Sequence, residues 1–488
     1  MGEIQKQAIK GTVFNYFGIV LGFLYTGILF PKLLTTEQIG LLSVLVAYAT
    51  IAAQLSSFGF NAVTTRLFPY FRNKDKRHNG FMAIGVSVQM VGFGFSSTVL
   101  LCLHCFHYLN NERNPLFDRY FYIIFWLLFV ILFFNFFDNY FKVLYNAVIG
   151  TALKELGQRL FIFISVIFIY FHVIDFDIFP ILYAIAFTIP LIIIIFFLIR
   201  QKEFFLSFPH KPVSAKLKKE MKTVALYSVI SGFAGVLTLN IDRIMIQFFD
   251  GLSLTGIYTT MFFFGTMVAV PARSLIKISA AFVADAWKNN DVKKISIILE
   301  KSVLNQTIIG VLILIGLWVN IDNILSVLKP SFFQGKYVIL IIGIAYLFDM
   351  ISGVSNIVLG TSKYFRYGTY LIGLQFFMVI IANLIFIPIY GILGAAIGSL
   401  VAKLIFNLLK MAILYRKMKL FPYSGKIFVI IIAGGIAYLS GYFIPSLNNL
   451  YGDTIVKSVV VSVVFTSILY FLKISEEINK RINLFLGL

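Results

Sequence analysis

Apolar runs of about 20 residues recur along the chain between short polar breaks, and a helix of that length crosses a bilayer core of roughly 30 Å. The pattern predicts about fourteen transmembrane helices, beginning near residues 11, 40, 80, 119, 155, 178, 223, 254, 302, 337, 367, 391, 427 and 454. The expected fold class is therefore an all-α polytopic membrane protein. A long polar break, "RQKEFFLSFPHKPVSAKLKKEMK", follows the sixth run. It predicts an N-terminal lobe at 1-200, a cytoplasmic linker at 201-222, a C-terminal lobe at 223-415, and two further helices with a cytoplasmic tail at 416-488.

Polar residues inside the runs fall on stripes. Along the second run Ser43, Ala47, Thr50, Gln54, Ser57 and Asn61 share one helical face. Aligning "TEQIGLLSVL" with "SLTGIYTTM" puts Gly40 over Gly256, a shift of 216, and carries four of these positions onto Thr259, Thr266, Arg273 and Lys277. Under the same shift Thr12, Asn15, Gly22 and Thr26 fall on Ser228, Ser231, Thr238 and Asp242. Two consecutive helices in register argue for a duplicated six-helix unit. An even number of helices per copy makes the copies parallel repeats, with a pathway expected between them. The stripes either line a solvated path or pack helices through small and hydroxyl residues.

Composition and charge fix the environment. The chain has 488 residues, 59% of them hydrophobic, a net charge of +20 and a mean hydropathy of +0.91, which excludes a soluble nucleic-acid binder. The basic residues gather on alternate breaks: Lys6 and Lys10, then 66–77, 200–222, 288–301 and 410–426. The opposite breaks carry few bases, such as Arg113 and Lys329, against Glu37, Asp175, Asp250 and Asp453. This bias assigns both termini to the cytoplasm and the first run to a retained span.

Charges inside the spans are the candidates for function. Arg273 lies about nine residues, roughly 13 Å, inside the eighth helix, too deep to snorkel easily; Lys277, a turn nearer the end, either snorkels or joins it. Ser399, Lys403, Asn407 and Lys410 share a face of the twelfth helix, and Arg159 in "ELGQRL" sits near an inner end. Asp349 is either a counter-ion to Lys403 or Arg273, or a proton or sodium site. Asp242 and Arg243, in "LTLNIDRIMIQFF", point about 100° apart and belong to different stripes. Asp242 is expected to line the cleft. Arg243, with Asn240 and Gln247, either pins its helix to a neighbour or meets substrate late. The basic excess favours an anionic substrate, and arginine suits phosphate in bidentate geometry.

Other chemistries find little support. No G-x-x-x-x-G-K-[ST] phosphate loop occurs, which argues against ATP hydrolysis. Cys102 and Cys105, interleaved with His104 and His107, either bind a metal or, on the better reading, end a helix at the outer interface. The "DFD" at Asp175 and Asp177 is read as a solvated turn rather than a glycosyltransferase metal motif, and no cofactor is expected.

"NIDRIMIQFFDGLSLTGIYTTMFFF", "FVADAWKNND" and "IPIYGILGAAIGSLVAKLI" resemble the polysaccharide transporter branch of the multidrug/oligosaccharidyl-lipid/polysaccharide exporter superfamily, the Wzx-type flippases. The resemblance implies two six-helix lobes in a V plus two C-terminal helices. It implies transfer of undecaprenyl-diphosphate-linked oligosaccharide from the inner to the outer leaflet of the bacterial cytoplasmic (inner) membrane, for O-antigen, capsule or exopolysaccharide assembly. It also implies coupling to H+ or Na+ through Asp349 or Asp242, contact with membrane lipids, and work beside a polysaccharide polymerase and a chain-length regulator. On this reading Arg273, Lys277, Lys403, Arg243 and Arg159 meet the diphosphate. Asn15, Thr26, Gln54, Ser57, Asn61, Thr266 and Asn407 form a polar cavity stripe. Related lipid II flippases carry arginines on the first two helices, where this chain has Thr12, Asn15, Ser57 and Asn61. The alternatives are a multidrug cation antiporter of the same fold and a polysaccharide polymerase or ligase.

Overall fold

The computed structural model describes residues 13–106, 115–144, 147–208, 213–476, 479–480 and 483–484. Lys6, Lys10, Thr12, His107, Arg113 and the side chain of Ser231 lie outside the described part. The transmembrane series runs α1 (Val13–Leu33), α2 (Thr36–Ser56), then the short α3 (Phe60–Phe71), α4 (Phe81–Cys105), α5 (Ile123–Val143), α6 (Arg159–Tyr170) and α7 (Phe179–Arg200). After the linker come α8 (Ala215–Thr266), α9 (Val270–Lys288), α10 (Val292–Val319), α11 (Lys336–Ile351), α12 (Phe365–Tyr390), α13 (Ile392–Met418), α14 (Lys426–Tyr442) and α15 (Leu450–Phe471). No strand occurs among the described residues.

Local chemistry sets several boundaries. Thr35 caps α2 by a reciprocal box: its hydroxyl accepts from the Gln38 amide at 3.2 Å, and Gln38 accepts from the Thr35 amide at 2.9 Å. Asp291 caps α10 by accepting from the Lys294 amide, and Asn449 caps α15 by accepting from the Tyr451 and Gly452 amides. The seventh and eighth apolar runs join as α8, 52 residues bent at Gly251, whose φ of 85° suits only glycine well. The fifth run is not one regular helix: Ala147–Ala152 leads through a π-turn at Leu153–Gln158 into α6, and α1 has a matching π-turn at Phe23–Leu29.

The chain divides into two compact units, Met1–Thr259 and Thr260–Leu488. The division falls inside α8, not at the 201-222 linker, because α8 residues up to 259 pack on α2. A Cβ on Gly40 would lie 3.0 Å from the Gly256 nitrogen, and one on Gly256 would lie 2.9 Å from the Gly40 nitrogen. Thr259 donates to Ser43 at 3.1 Å, and the hydroxyls of Thr36 and Ser253 lie 2.7 Å apart. Gly40 and Gly256, like Ser43 and Thr259, are the pairs matched by the 216-residue shift. Equivalent residues thus touch each other, as across a local two-fold axis.

The first unit has an aromatic core in which Phe60, Phe68, Phe81, Phe136 and Tyr140 are nearly all fully buried, with Phe68 and Tyr140 edge-to-face at 5.3 Å. The second unit is mainly aliphatic, with Val283, Ile295, Leu299 and Val358 in one cluster and Ile430, Val461 and Leu469 in another.

Candidate functional site: a basic cavity in the second unit

The site grows from a break in one helix and an uninterrupted face of another. α11 ends at Ile351, and the chain turns through Gly353 (φ 58°) before a short helix at Ser355–Gly360. Asp349, Ser352 and Asn356 are thereby held opposite the Lys403, Asn407 and Lys410 face of α13. Lys403 Nζ pairs with Asp349 Oδ2. Asn407 Nδ2 donates to the other carboxylate oxygen at 2.8 Å, while its Oδ1 accepts from Ser352 at 2.6 Å and from Lys410 at 2.7 Å. Lys410 also donates to Asn356 at 3.0 Å.

Lys403 therefore holds the carboxylate directly while Lys410 is linked to it only through Asn407, and both have aromatic faces beneath them. Lys403 Nζ lies 4.1 Å from the Tyr346 ring centroid and Lys410 Nζ lies 4.9 Å from that of Phe406. Lys410 is 1% exposed, so its ammonium relies on these partners rather than on water.

Asp349, Lys403 and Lys410 line a cavity of ≈ 630 Å³ together with Arg273 from α9. Gln306, 1% exposed, also lines it, and its Nε2 has no hydrogen-bond partner among the described residues. Three cations, one acid and a spare amide donor suit an anion with several oxygens. The sequence pattern exposed Arg273, Lys403, Asn407 and Asp349. It missed Gln306 and Tyr346, which carry no charge, and Lys410 stood on the named face without being assigned a role.

The other expected residues lie elsewhere. Lys277 is exposed one turn beyond Arg273 and is not among the residues lining the cavity. Thr266 donates to the Phe263 carbonyl at 2.8 Å, at the end of α8. The remaining candidates belong to the first unit. Arg159 pairs with Glu155 at 2.8 Å and donates to the Gly18 carbonyl; a Cβ on Gly22 would come 2.7 Å from its guanidinium. Arg159 thus has a carboxylate partner on its own helix and a packing contact on α1. Asp242, expected to line a cleft, is 4% exposed and accepts from Tyr258 at 2.7 Å. Arg243 donates to Asn240 at 3.1 Å, one of the two expected neighbours, while Gln247 accepts from Tyr48 at 3.3 Å.

The first-half part of the polar cavity stripe is of mixed character, with Asn15 and Ser57 buried and its other members only partly so. Ser57 donates to the Gln54 carbonyl at 2.8 Å and closes the end of α2. Asn15 is 9% exposed; Thr26, Gln54 and Asn61 are half-buried, and Asn61 Oδ1 has no partner among the described residues. Cys102 and Cys105 are exposed at the end of α4, and no metal-binding cluster occurs among the described residues. Asp177 accepts from Tyr120 at 2.9 Å and Arg119 at 3.1 Å, a solvated turn.

The apolar helices and the fold define a multi-pass membrane protein. The chain belongs to the polysaccharide biosynthesis protein family, whose model matches residues 6–279, more than half its length. Among solved structures, the lipid II flippase MurJ in an inward closed conformation is 14% identical with a TM-score of 0.72, covering 96% of this chain and 100% of that one. An inward-facing multidrug resistance MATE transporter is 14% identical with a TM-score of 0.62, over 82% of this chain and 94% of that one. A MOP superfamily transporter from Pyrococcus furiosus, described as having a binding pocket of reverse polarity, is 15% identical with a TM-score of 0.54, over 83% of this chain and 94% of that one. At these identities the likeness establishes the fold. No curated protein matches in sequence.

Proposed function

We propose that this protein is a flippase that moves undecaprenyl-diphosphate-linked oligosaccharide from the inner to the outer leaflet of a bacterial cytoplasmic membrane, with both termini inside. The observation that carries this reading is the cavity bearing Arg273, Lys403 and Lys410 against the single acid Asp349. A low-dielectric wall strengthens attraction for a diphosphate, and the guanidinium of Arg273 can grip two of its oxygens. Gln306 Nε2 supplies a further donor, and Lys277 extends the positive charge along α9. Asp349 neutralises Lys403 while the cavity is empty; a proton or sodium ion reaching that carboxylate, or Asp242, would reset the cycle. The glycan would feed O-antigen, capsule or exopolysaccharide assembly beside a polymerase and a chain-length regulator.

Replacing Arg273 with Ala should abolish surface polysaccharide while the protein stays in the membrane at normal level; unchanged polymer output would remove Arg273 from the mechanism. A multidrug cation antiporter would need a cavity of the opposite sign, and a change in drug accumulation in cells lacking the protein would favour it, whereas unaltered accumulation would favour the flippase. A polymerase or ligase would change the mass of a lipid-linked oligosaccharide and not only its sidedness, which reconstituted protein can distinguish.

A further inference from the structure

Three turns of the second unit meet in a second hollow, of ≈ 450 Å³. Trp287, Asn290 and Val292 come from the turn between α9 and α10, Thr361 to Tyr364 from the turn before α12, and Lys417 and Met418 from the end of α13. Among the described residues neither Lys363 nor Lys417 pairs with a carboxylate. No acid lines the hollow; Asp285 pairs with Lys294 Nζ at 3.5 Å, and Asp291 caps α10 by accepting from the Lys294 backbone amide at 2.9 Å. Lys288, Arg366, Arg416 and Lys419 stand on the same three turns, so the rim is basic as well.

Lys417 in the last turn of α13 is what the helix dipole alone would favour. That accounts for one positive charge and not for two lysines converging on one hollow. The walls are built to stay open. Trp287 is held by its indole N–H donating to the Val358 carbonyl at 3.3 Å, and Ser362 is 7% exposed and accepts from the Tyr364 amide at 3.0 Å. Phe365, Tyr415 and Phe421 are 46%, 58% and 58% exposed nearby, the aromatic signature of a bilayer interface. The charge bias assigns these three turns to the cytoplasmic side, and basic hollows between spans at that level suit phosphate headgroups.

We propose that this hollow is a phosphate-binding site that holds the headgroup of an anionic phospholipid of the inner leaflet, with Lys363 and Lys417 on the phosphate and Trp287 and Tyr364 against the glycerol and acyl ends. The site is separate from the 630 Å³ cavity and shares no lining residue with it.

Trp287 is one of three tryptophans, so replacing Trp126 and Trp318 with Phe leaves it as the reporter in the full chain. Delipidated protein in neutral detergent would be titrated with phosphatidylglycerol, phosphatidylcholine and inorganic phosphate. Phosphatidylglycerol should change the emission saturably, and the pair K363Q/K417Q should weaken that binding at least about tenfold, given the roughly 1 kcal/mol each basic group contributes near an anionic surface. The pair K363R/K417R should keep it, and K288Q, on the rim, should change it little. Equal binding by K363Q/K417Q eluting as folded protein would overturn the proposal, as would phosphatidylcholine binding as tightly as phosphatidylglycerol. If K363Q/K417Q does not fold, loss of binding in folded K363R/K417R overturns it equally. A response to inorganic phosphate that the glutamine pair abolishes supports the phosphate chemistry with a soluble source.

Discussion

In the first unit Arg159 meets Glu155 one turn away and a glycine notch on α1, while Asp242 lies under the Tyr258 hydroxyl. In the second, Lys403 takes the one carboxylate, Lys410 is held by the amide oxygens of Asn356 and Asn407, and Arg273 lines the cavity. Charges of the same kinds thus hold helices together in one place and leave a surplus in the other. A local partner at i,i+4 makes a charge structural; a surplus with a cavity beside it makes a charge available to a ligand.

Asn at Asp349 should break the contrast most. It leaves Lys403 without its acid and Asn407 without the charge it donates to, and destabilisation should approach the lower end of the ~3–5 kcal/mol typical for breaking a buried pair, because Asp349 keeps 30% of its side-chain surface. Thermal unfolding of the purified protein measures it, and adding Lys403→Met should restore part of the loss; additive losses would deny the coupling. Tyr258→Phe should cost about 1.5–3 kcal/mol by removing the donor to buried Asp242, with little effect on a cavity-bound ligand. Equal loss of ligand binding would instead join the two regions functionally. Ala at Gly40 and Ala at Gly256 should each cost about 1–3 kcal/mol by forcing a methyl into the facing backbone, and the two losses should be similar because the contact is symmetric.

The smallest effect concerns Glu203, outside the spans, clamped by His78 at 2.7 Å and Lys74 at 2.9 Å. Burial raises its pKa, but the hydrogen bonds from Lys74 and His78 outweigh that and leave it below the ordinary glutamate value. A lowered folded pKa means the clamp stabilises above the unfolded glutamate pKa, about 4.3, and the contribution disappears as pH falls through the lowered value. Glu203→Gln should therefore flatten the acid limb of a stability profile while leaving neutral pH less stable than the parent.

The spans were legible because hydrocarbon leaves little choice of composition, and the Gly40 and Gly256 match was legible because close backbone approach admits no other residue. Arg273, Asp349 and Lys403 stood out because charges are rare in such runs. The Arg159 pairing was also within reach of the sequence, since Glu155 stands four residues earlier in "ELGQR". The Asp242 partner was not legible, because a stripe shows a face while the Tyr258 hydroxyl arrives only after the bend at Gly251. Gln306 was invisible, since an unpaired amide is a property of its surroundings and not of its letter.

The crossing of α2 and α8 carries a statement about ancestry. Gly40 against Gly256 and Ser43 against Thr259 require nothing of one copy that the other does not also supply. A half-length forebear carrying one glycine and one hydroxyl at these places already possessed both sides of the contact. Two separate copies could have paired through it before any linker joined them, and fusion then only made permanent an association that each chain could already form with itself.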